Sequence, residues 1–393
     1  MPGKLVDMQI AYTKRSERLA HDIYNAFPKV LTERLHFYEG LLRNAQRDRS
    51  AYLAITREPP TAVSDRVDDI RRYLNEVHGF DYDDFCEVNE KIFMNTESKP
   101  KFQNVRGRDV FYIASFKDDK GDDNPDTGYM RLSLAMDALK RASARGRIAV
   151  APYMPYQRQD RKDESRVPIS FKAVADMLNA TGMTRLLTLD MHSQAEQGFF
   201  DIPVDDLTPI NLFLPILEEF SSSHGAVLVD PDSGSAKRND YLMKVTGHKA
   251  VIVDKRRDDY DPVLRTAIGL DNLPGKVAVE VDDLISTGKT LARTASNIST
   301  YGPEKIIVIA THYDGNPFEA EEDGKKGVPN GLRRLQECES IDRIYVTDSN
   351  YSPSWDQFSK ISVISIGEFL ANTIFETQTD GSVSRLFPKI PEK

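Results

Sequence analysis

The stretch VAVEVDDLISTGKTLARTASNI, from Val277 to Ile298, combines paired carboxylates with a loop of small and hydroxyl-bearing residues. Its apolar beginning predicts a buried strand, with Asp282 and Asp283 at its carboxyl end. Hydroxyls and backbone N–H groups follow at the start of a predicted helix, in Ser286, Thr287, Gly288 and Thr290. Because free N–H groups and the positive end of a helix dipole favour negative charge, the stretch predicts an anion site.

Two interpretations of this stretch stay open. The run Gly288-Lys289-Thr290 is not an ATPase P-loop, because that motif needs a glycine where this chain has Asp283. Two acidic residues before a T-G-x-T loop are similar to the ribose-phosphate loop of phosphoribosyltransferases and ribose-phosphate pyrophosphokinases. There the carboxylates suit the ribose hydroxyls and the loop suits the 5-phosphate. An ordinary strand–turn–helix connection with a capping Ser or Thr explains the stretch equally well.

Polar clusters also follow other apolar runs. Arg158–Asp163 (RQDRKD) follows one run, and the forked guanidinium groups of its arginines match phosphate oxygens. Asp190 and His192 end the next run, where they are able to bind Mg²⁺ directly or through water. The alternatives are a solvated charged loop and a structural histidine.

Two further clusters lie beyond residue 229. Asp230 and Asp232 precede a turn of small residues and the start of a helix. Lys255, Arg256 and Arg257 then open a polar segment that would suit a mobile lid delivering cations to a phosphoryl group in transfer. A plain surface loop is the alternative.

Apolar runs alternate with helical patterns from residue 110 onward, which predicts parallel sheets covered by helices. The predicted strands are Val110–Ala114, Ile148–Ala151, Leu186–Leu189, Ala226–Val229, Ala250–Val253, Val277–Val281, Ile306–Ala310 and Ile344–Val346. The predicted helices include Met130–Ala142, Phe171–Ala180, Ala236–Lys244 and Leu291–Ser299. A long connection near residues 203–225 indicates two α/β domains, in which ligands bind beyond the carboxyl ends of the strands.

The first 90 residues are less regular. Leu5–Tyr12 predicts a strand and Ser16–Phe27 a helix. Between residues 28 and 90 the apolar residues follow helical spacing on both sides of Pro59-Pro60, which predicts two amphipathic helices. We expect these helices to form a packed surface appendage.

Composition excludes several classes of protein. A chain of 393 residues fits two domains better than one. Its net charge of -9 argues against a nucleic-acid surface, and no apolar run reaches the length of a membrane span. Cys86 and Cys338 make no disulfide framework, and the beginning of the chain lacks the apolar segment of a signal peptide. We therefore expect a cytoplasmic protein.

The chain from about residue 91 to 311 resembles the ribose-phosphate pyrophosphokinase (phosphoribosyl pyrophosphate synthetase) family. The resemblance rests on MDALKRAS at Met136–Ser143, RQDRKD and RVPIS, LDMHSQAEQGFFDIPVD, DPDSGSAKR, VDKRR and VDDLISTGKT. It implies an α/β fold of two phosphoribosyltransferase-like (Rossmann-like) domains with mainly parallel sheets. We expect an N-terminal domain over residues 1–205, with the insert at about 28–90, and a C-terminal domain over 206–393.

The resemblance also implies a role for individual residues. ATP would be held by Arg158, Gln159 and Asp163, and by Phe93 and Glu97 of a neighbouring subunit. His192 and Asp232 would organise Mg²⁺, Asp232 would also hold the sugar hydroxyls, and Lys255 and Arg257 would be the catalytic cations. The ribose-phosphate site would be formed by Asp232, Asp282, Asp283, Ser286, Thr287, Gly288, Lys289 and Thr290. A homo-oligomer, dimer or hexamer, follows from the shared ATP site.

Some features depart from the family pattern. These are the insert, Lys289 within the loop, Ser286 before it, Arg131 in place of a glutamate and the segment GNPFEAEEDGKKG after His312. The expected reaction is pyrophosphoryl transfer from MgATP to ribose 5-phosphate. ADP-ribose is an alternative acceptor, since it also has a free anomeric hydroxyl, and a catalytically silent regulatory subunit is an alternative of another class. A simple phosphoribosyltransferase would need neither the RQDRKD block nor the VDKRR lid.

Overall fold

The computed structural model describes residues 5–47, 60–76, 85–116, 125–230, 236–254, 266–315, 320–322, 325–328 and 331–390. Within these ranges the chain forms two predominantly parallel sheets with helices packed on both faces. The expectation of two parallel α/β domains is confirmed.

The N-terminal half contributes eight of the described strands. They are β1 (Met8–Tyr12), β2 (Phe85–Glu87), β3 (Asn89–Ile92), β4 (Ser98–Lys101), β5 (Asp109–Ile113), β6 (Gly146–Val150), β7 (Arg185–Leu189) and β8 (Val204–Leu207). Six of them form a sheet in the order β2-β1-β5-β6-β7-β8, and every neighbouring pair is parallel. Strands β3 and β4 form a separate antiparallel hairpin.

The C-terminal half contributes the other described strands. They are β9 (Ala226–Asp230), β10 (Lys249–Asp254), β11 (Thr266–Ile268), β12 (Val277–Ile285), β13 (Lys305–Tyr313), β14 (Ala320–Glu322), β15 (Lys325–Val328), β16 (Arg343–Thr347) and β17 (Ile361–Ile364). The second sheet has the order β11-β10-β9-β12-β13-β16-β17, in which β11 is antiparallel to its neighbour β10. Strands β14 and β15 form a short hairpin.

Helices connect most of the parallel strands. They are α1 (Glu17–Arg47), α2 (Pro60–Glu76), α3 (Pro125–Arg141), α4 (Ser170–Thr181), α5 (Ile210–Ser223), α6 (Ala236–Thr246), α7 (Lys289–Ile298), α8 (Gly331–Glu337) and α9 (Gly367–Gln378). Among the described residues, no helix is both long enough and apolar enough to cross a membrane.

Strand β5 shows why these sequences form covered sheets. Val110 and Tyr112 belong to the apolar core on one face of the first sheet, and Phe111 and Ile113 belong to the core on the other face. Side chains alternate between the two faces of a strand, so an unbroken apolar run is buried only where both faces are covered. The sheet therefore needs a helix layer on each side.

The predicted strands and helices from residue 110 onward are all present, with bounds that differ by a few residues. The expectation of a long connection near residues 203–225 is wrong, because strand β8 and helix α5 occupy most of that range. The division expected between residues 205 and 206 falls within β8. The chain passes from the first sheet to the second between β8 and β9.

The N-terminal region also differs from the prediction. The first strand begins at Met8, after a 3-10 turn at Leu5–Asp7. Helix α1 does not end at Phe27 but continues through Pro28 to Arg47. The later part of α1 and helix α2 are the two amphipathic helices of the insert. Their residues Tyr38, Val63, Val67 and Ile70 are buried in the apolar core on one face of the first sheet. The insert is therefore more than a surface appendage.

Helix α9 ties the end of the chain to this insert. Its residues Phe369, Leu370, Ile374 and Phe375 belong to the same apolar core as α1 and α2. The fully buried Glu376 of α9 pairs with Arg34 of α1 at 3.2 Å. Helix α9, from the C-terminal part of the chain, thus packs on the helices that cover the first sheet.

Candidate active site

The small-residue loop lies between β12 and α7, as predicted, but the carboxylates before it lie inside the strand. Strand β12 continues to Ile285, and Asp282 is in register with Ala310 of β13. The Asp283 N–H donates to Asp282 Oδ1 at 3.0 Å. Strand pairing thus fixes the backbone at Asp282, and Asp283 is only 8% exposed.

Gly288 is required by the shape of the loop. Its φ of 66° lies in the left-handed region, and a Cβ added there would meet the Gly331 carbonyl oxygen at 2.7 Å. Gly288 is also the N-cap of α7, and no side chain of the N-cap residue caps this helix. Thr287 Oγ1 accepts a hydrogen bond from the Lys289 N–H at 3.4 Å, so the alternative of a capping Ser or Thr stays open beside that of an anion site.

His192 and Asp283 join the two halves of the site. His192 lies in the segment after β7 of the first sheet, and its Nδ1 is 2.6 Å from Asp283 Oδ2 in the second sheet. The hydrogen bond to Asp283 raises the pKa of His192, while burial and Arg158 lower it. The His192 backbone N–H also donates to Gln157 Oε1 at 3.0 Å, which ties the histidine to the segment after β6.

Three further contacts join the ends of the two sheets beside this pair. Thr311 Oγ1 donates to Asp190 Oδ2. The buried His312 contacts the Leu189 carbonyl oxygen through Nε2 at 2.8 Å. The Tyr153 hydroxyl donates to Asp314 Oδ2 at 3.3 Å. These contacts hold the carboxyl ends of β6 and β7 against that of β13, where ligands of such folds bind.

The predicted ATP block lies beside His192. Gln157–Gln159 form a 3-10 turn that follows Tyr156, whose φ is 70°. Arg158 and Asp163 are exposed, and Arg158 is close enough to His192 to lower the pKa of the imidazole. Gln159 Oε1 accepts a hydrogen bond from Ser170 Oγ at 2.6 Å, at the start of α4. The block therefore presents a cation to solvent next to the histidine.

Glu196 is a buried acid close to this site that the sequence reasoning did not single out. It has no exposed surface. Burial is the main cause that raises its pKa to about 9, and the charges of Asp160, Asp206 and Asp283 add to the effect. A backbone hydrogen bond at Ser193 acts to lower that pKa. In the sequence, Glu196 is marked only by the S-x-x-E spacing that it forms with Ser193, which is typical of a helix capping box.

Phe93 and Glu97 lie apart from this cluster, at the tip of the β3–β4 hairpin. The Phe93 N–H donates to the Glu97 carbonyl at 2.8 Å, and the Lys91 and Lys99 ammonium groups lie 4.9 and 5.6 Å from the Phe93 ring centroid. Among the described residues, neither side chain is hydrogen-bonded or ion-paired to the ATP block. Arg131, one of the departures noted in the sequence, lies 3.5 Å from Glu90 at the base of the hairpin, and both side chains are 12% exposed.

Comparison with known proteins gives this arrangement a family. Residues 76–182 match the family model for the N-terminal domain of ribose phosphate pyrophosphokinase, and residues 216–332 match the phosphoribosyl transferase domain. The ribose-phosphate pyrophosphokinase of Thermosipho africanus is 35% identical over 305 residues, covering 77% of this chain and 89% of that protein. The chain belongs to the ribose-phosphate pyrophosphokinase family.

Two more comparisons agree. The ribose-phosphate pyrophosphokinase of Vibrio parahaemolyticus is 37% identical over 295 residues, covering 72% of this chain and 85% of that protein. The crystal structure of phosphoribosylpyrophosphate synthetase from Mycobacterium smegmatis superposes with a TM-score of 0.65 at 29% identity, over 79% of this chain and 95% of that one. The protein is therefore an enzyme of a diphosphotransferase family. The first family match begins at residue 76, beyond α1 and nearly all of α2.

The structure brings together part of the predicted site. His192, Asp282, Asp283, Ser286, Thr287, Gly288, Lys289 and Thr290 lie on the facing ends of the two sheets or in the loop between β12 and α7. Thr287, Lys289 and Thr290 are exposed, as a ligand site requires. Asp232, Lys255 and Arg257 lie outside the described residues.

The predicted magnesium site is tested only in part by this geometry. No group of three or more His, Cys, Asp or Glu side chains in the described ranges is placed to hold a metal ion. Mg²⁺ commonly keeps several waters and binds one or two carboxylates together with substrate phosphates, so such a group is not required. The oxygen donors of Asp190, two residues before His192, and of Asp283, in contact with His192, fit that pattern.

Proposed function

We propose that this protein transfers the pyrophosphoryl group of MgATP to the anomeric hydroxyl of ribose 5-phosphate, giving phosphoribosyl pyrophosphate and AMP. The observation that supports this most is the 2.6 Å contact between His192 and Asp283. It joins the histidine expected to organise Mg²⁺, whose N–H also donates to Gln157 next to the proposed ATP block, to the strand expected to hold the sugar. Membership of the ribose-phosphate pyrophosphokinase family supports the same chemistry.

On the acceptor side, the loop from Ser286 to Thr290 would bind the 5-phosphate at the start of α7. Asp282 and Asp283 would accept hydrogen bonds from the ribose hydroxyls, because ionised carboxylates are acceptors only. Gly288 lets the backbone approach the phosphate closely. Asp232 would add a further carboxylate for the hydroxyls.

On the donor side, Arg158, Gln159 and Asp163 would hold ATP, with Phe93 and Glu97 contributed by a second copy. The exposed Phe93 ring on a projecting hairpin, 36% exposed, suits stacking on a base bound elsewhere. This shared site is the reason that we propose a homo-oligomer. The two free cysteines agree with a cytoplasmic location.

The bond-making step asks little covalent chemistry of the protein. The anomeric oxygen attacks the β-phosphorus of ATP, the bond between the α,β-bridging oxygen and the β-phosphorus breaks, and AMP leaves. Lys255 and Arg257 would neutralise the charge that develops on the phosphoryl oxygens. When bound, Mg²⁺ would supply further charge neutralisation and hold the phosphates in line, with His192, Asp232 and Asp283 around it.

ADP-ribose is a second candidate acceptor, on one specific observation. Lys289 is exposed at the first position of α7, inside the loop proposed for the phosphate. A cation there would suit the second phosphate of ADP-ribose. The test is a comparison of kcat/KM for ribose 5-phosphate and ADP-ribose in the wild type and in Lys289→Gly. Preference for ADP-ribose that the substitution removes would reassign the acceptor.

A further inference from the structure

Helix α8 packs against the loop between β12 and α7 through its backbone and through Arg334. The short helix runs from Gly331 to Glu337, shortly after the segment GNPFEAEEDGKKG that departs from the family pattern. A Cβ added to Gly331 would lie 2.0 Å from the Ser286 carbonyl oxygen, so the helix backbone contacts the loop backbone directly. The Arg334 guanidinium, farther along α8, donates to the carbonyl of Thr287.

The direction of these two carbonyls determines where the loop N–H groups point. In a planar trans peptide the carbonyl oxygen and the following N–H lie on opposite sides. The Ser286 carbonyl faces Gly331 and the Thr287 carbonyl faces Arg334. The N–H groups of Thr287 and Gly288 therefore point away from α8. Neither of them donates a backbone hydrogen bond to another described residue.

We propose that Arg334 is a positioning residue that holds the Thr287–Gly288 peptide with its N–H toward the 5-phosphate of the sugar substrate. This rests on the proposed function only for the identity of the phosphate ester. Without the guanidinium, the peptide is free to rotate and turn its carbonyl oxygen toward the anion. An oxygen in that place repels a phosphate that the N–H would bind.

The positive φ of Gly288 shows why the loop needs a contact from outside to fix its conformation. Glycine occupies left- and right-handed conformations about equally, so the loop sequence alone does not fix the orientation of the peptide before it. A contact from outside the loop must select it. Arg334 is the described side chain that bonds the carbonyl of that peptide.

The experiment compares Arg334→Met, Arg334→Lys and Arg293→Met with the wild type. Arg293 is an exposed arginine on α7, so its substitution makes the same charge change near the same loop. Binding of ribose 5-phosphate without ATP is measured by calorimetry, and KM is measured for both substrates. We expect Arg334→Met to weaken ribose 5-phosphate binding by about tenfold or more, since hydrogen bonds to a charged group are at stake. In Arg334→Met, KM for ATP should stay near the wild-type value. Arg293→Met should bind ribose 5-phosphate about as well as the wild type, and Arg334→Lys should recover part of the binding that Arg334→Met loses.

Equal binding by wild type and Arg334→Met, or an equal loss in Arg293→Met, would overturn the proposal. Gly331→Ala is a second perturbation if Arg334→Met does not fold, because its methyl group must displace the Ser286 carbonyl. It should weaken ribose 5-phosphate binding as well, and unchanged binding would count against the proposal. If the wild type does not use ribose 5-phosphate, the proposed function fails, and titration of the same variants with inorganic phosphate still decides the role of Arg334.

Discussion

His192 Nδ1 lies 2.6 Å from Asp283 Oδ2, and this contact links the segment after β7 of the first sheet to strand β12 of the second. The histidine side chain is 43% exposed and the carboxylate 11%, so the pair is partly accessible to solvent. A contact between residues from two sheets survives only when both sheets are correctly docked. The pair is therefore a direct probe of the site that we propose.

His192→Ala and Asp283→Asn should each lower kcat/KM by about a hundredfold, the usual effect of losing a group that acts in the transition state. Because the two side chains are in contact, the double variant should lose much less than the product of the single losses. Steady-state kinetics on the four proteins measure this. His224→Ala is the control, since the exposed pair of His224 with Glu304 at 2.9 Å lies at the other end of the sheet. Strictly multiplicative losses would contradict a shared role.

Glu196 predicts an unusual dependence of stability on pH. Its pKa of about 9 in the folded protein lies far above the ordinary glutamate value. At any pH between the ordinary glutamate pKa and about 9, the folded chain keeps a proton that the unfolded chain has released, so the free energy of unfolding falls as pH rises. Glu196→Gln removes this loss of stability at high pH, because glutamine does not ionise. Its melting temperature should exceed that of the wild type by about 3 °C or more at pH 8, with a difference that shrinks toward pH 5.

Thermal unfolding from pH 5 to pH 9 measures this difference. Glu164→Gln is a matched control, because Glu164 is exposed in the neighbouring polar block. A constant difference between Glu196→Gln and wild type over this range would show that Glu196 is ionised in the folded protein.

The sequence predicted the strands well because a strand covered on both faces must be apolar at nearly every position, as β9 is. It predicted a helix end at Phe27, just before Pro28, and it predicted no helix in the segment that contains Pro215. Pro28 lies inside α1 and Pro215 inside α5, although proline usually marks a boundary. Both helices continue because Phe27, Val30 and Phe213 are buried, and this packing offsets the lost hydrogen bond.

The site was predictable only as a set of residue types. Polar clusters after strands indicated His192 and Asp283 separately, and parallel topology brought their segments to the same edge. The contact between them was not predictable, because it depends on how two sheets dock. The role of Arg334 was not predictable either, since nothing in GLRRLQE distinguishes it from an ordinary surface arginine.

The attachment of α9 to the insert can be tested with two substitutions on one helix. Arg34 pairs with the fully buried Glu376 at 3.2 Å, and Lys29 pairs with the exposed Glu368 at 2.8 Å. Arg34→Met removes the ion-pair partner at 3.2 Å from a buried carboxylate, on which Arg385 and Arg66 still act, and should lower the free energy of unfolding by about 3 kcal/mol. Lys29→Met should leave it nearly unchanged, since exposed pairs contribute little. Urea unfolding measures both, and equal effects would contradict the difference in burial.

Phe93→Ala should raise KM for ATP by about tenfold, the usual effect of losing a ring that stacks on a base. KM for ribose 5-phosphate should change little. Because we place Phe93 in the site of a second copy, Phe93→Ala subunits mixed and reassembled with His192→Ala subunits should be more active than either variant alone, at ATP concentrations below the wild-type KM. Random mixing restores roughly a quarter of the sites. Activity no higher than that of the two variants alone would place Phe93 in its own subunit's site.

The central claim is pyrophosphoryl transfer, and the nucleotide product tests it most directly. Purified protein incubated with MgATP and ribose 5-phosphate should form AMP and phosphoribosyl pyrophosphate in equal amounts, as measured by anion-exchange chromatography. AMP formation should require the acceptor, and ADP-ribose in its place identifies the alternative substrate. Acceptor-dependent formation of ADP, or no turnover with either acceptor, would contradict the account, the latter in favour of a catalytically silent regulatory subunit.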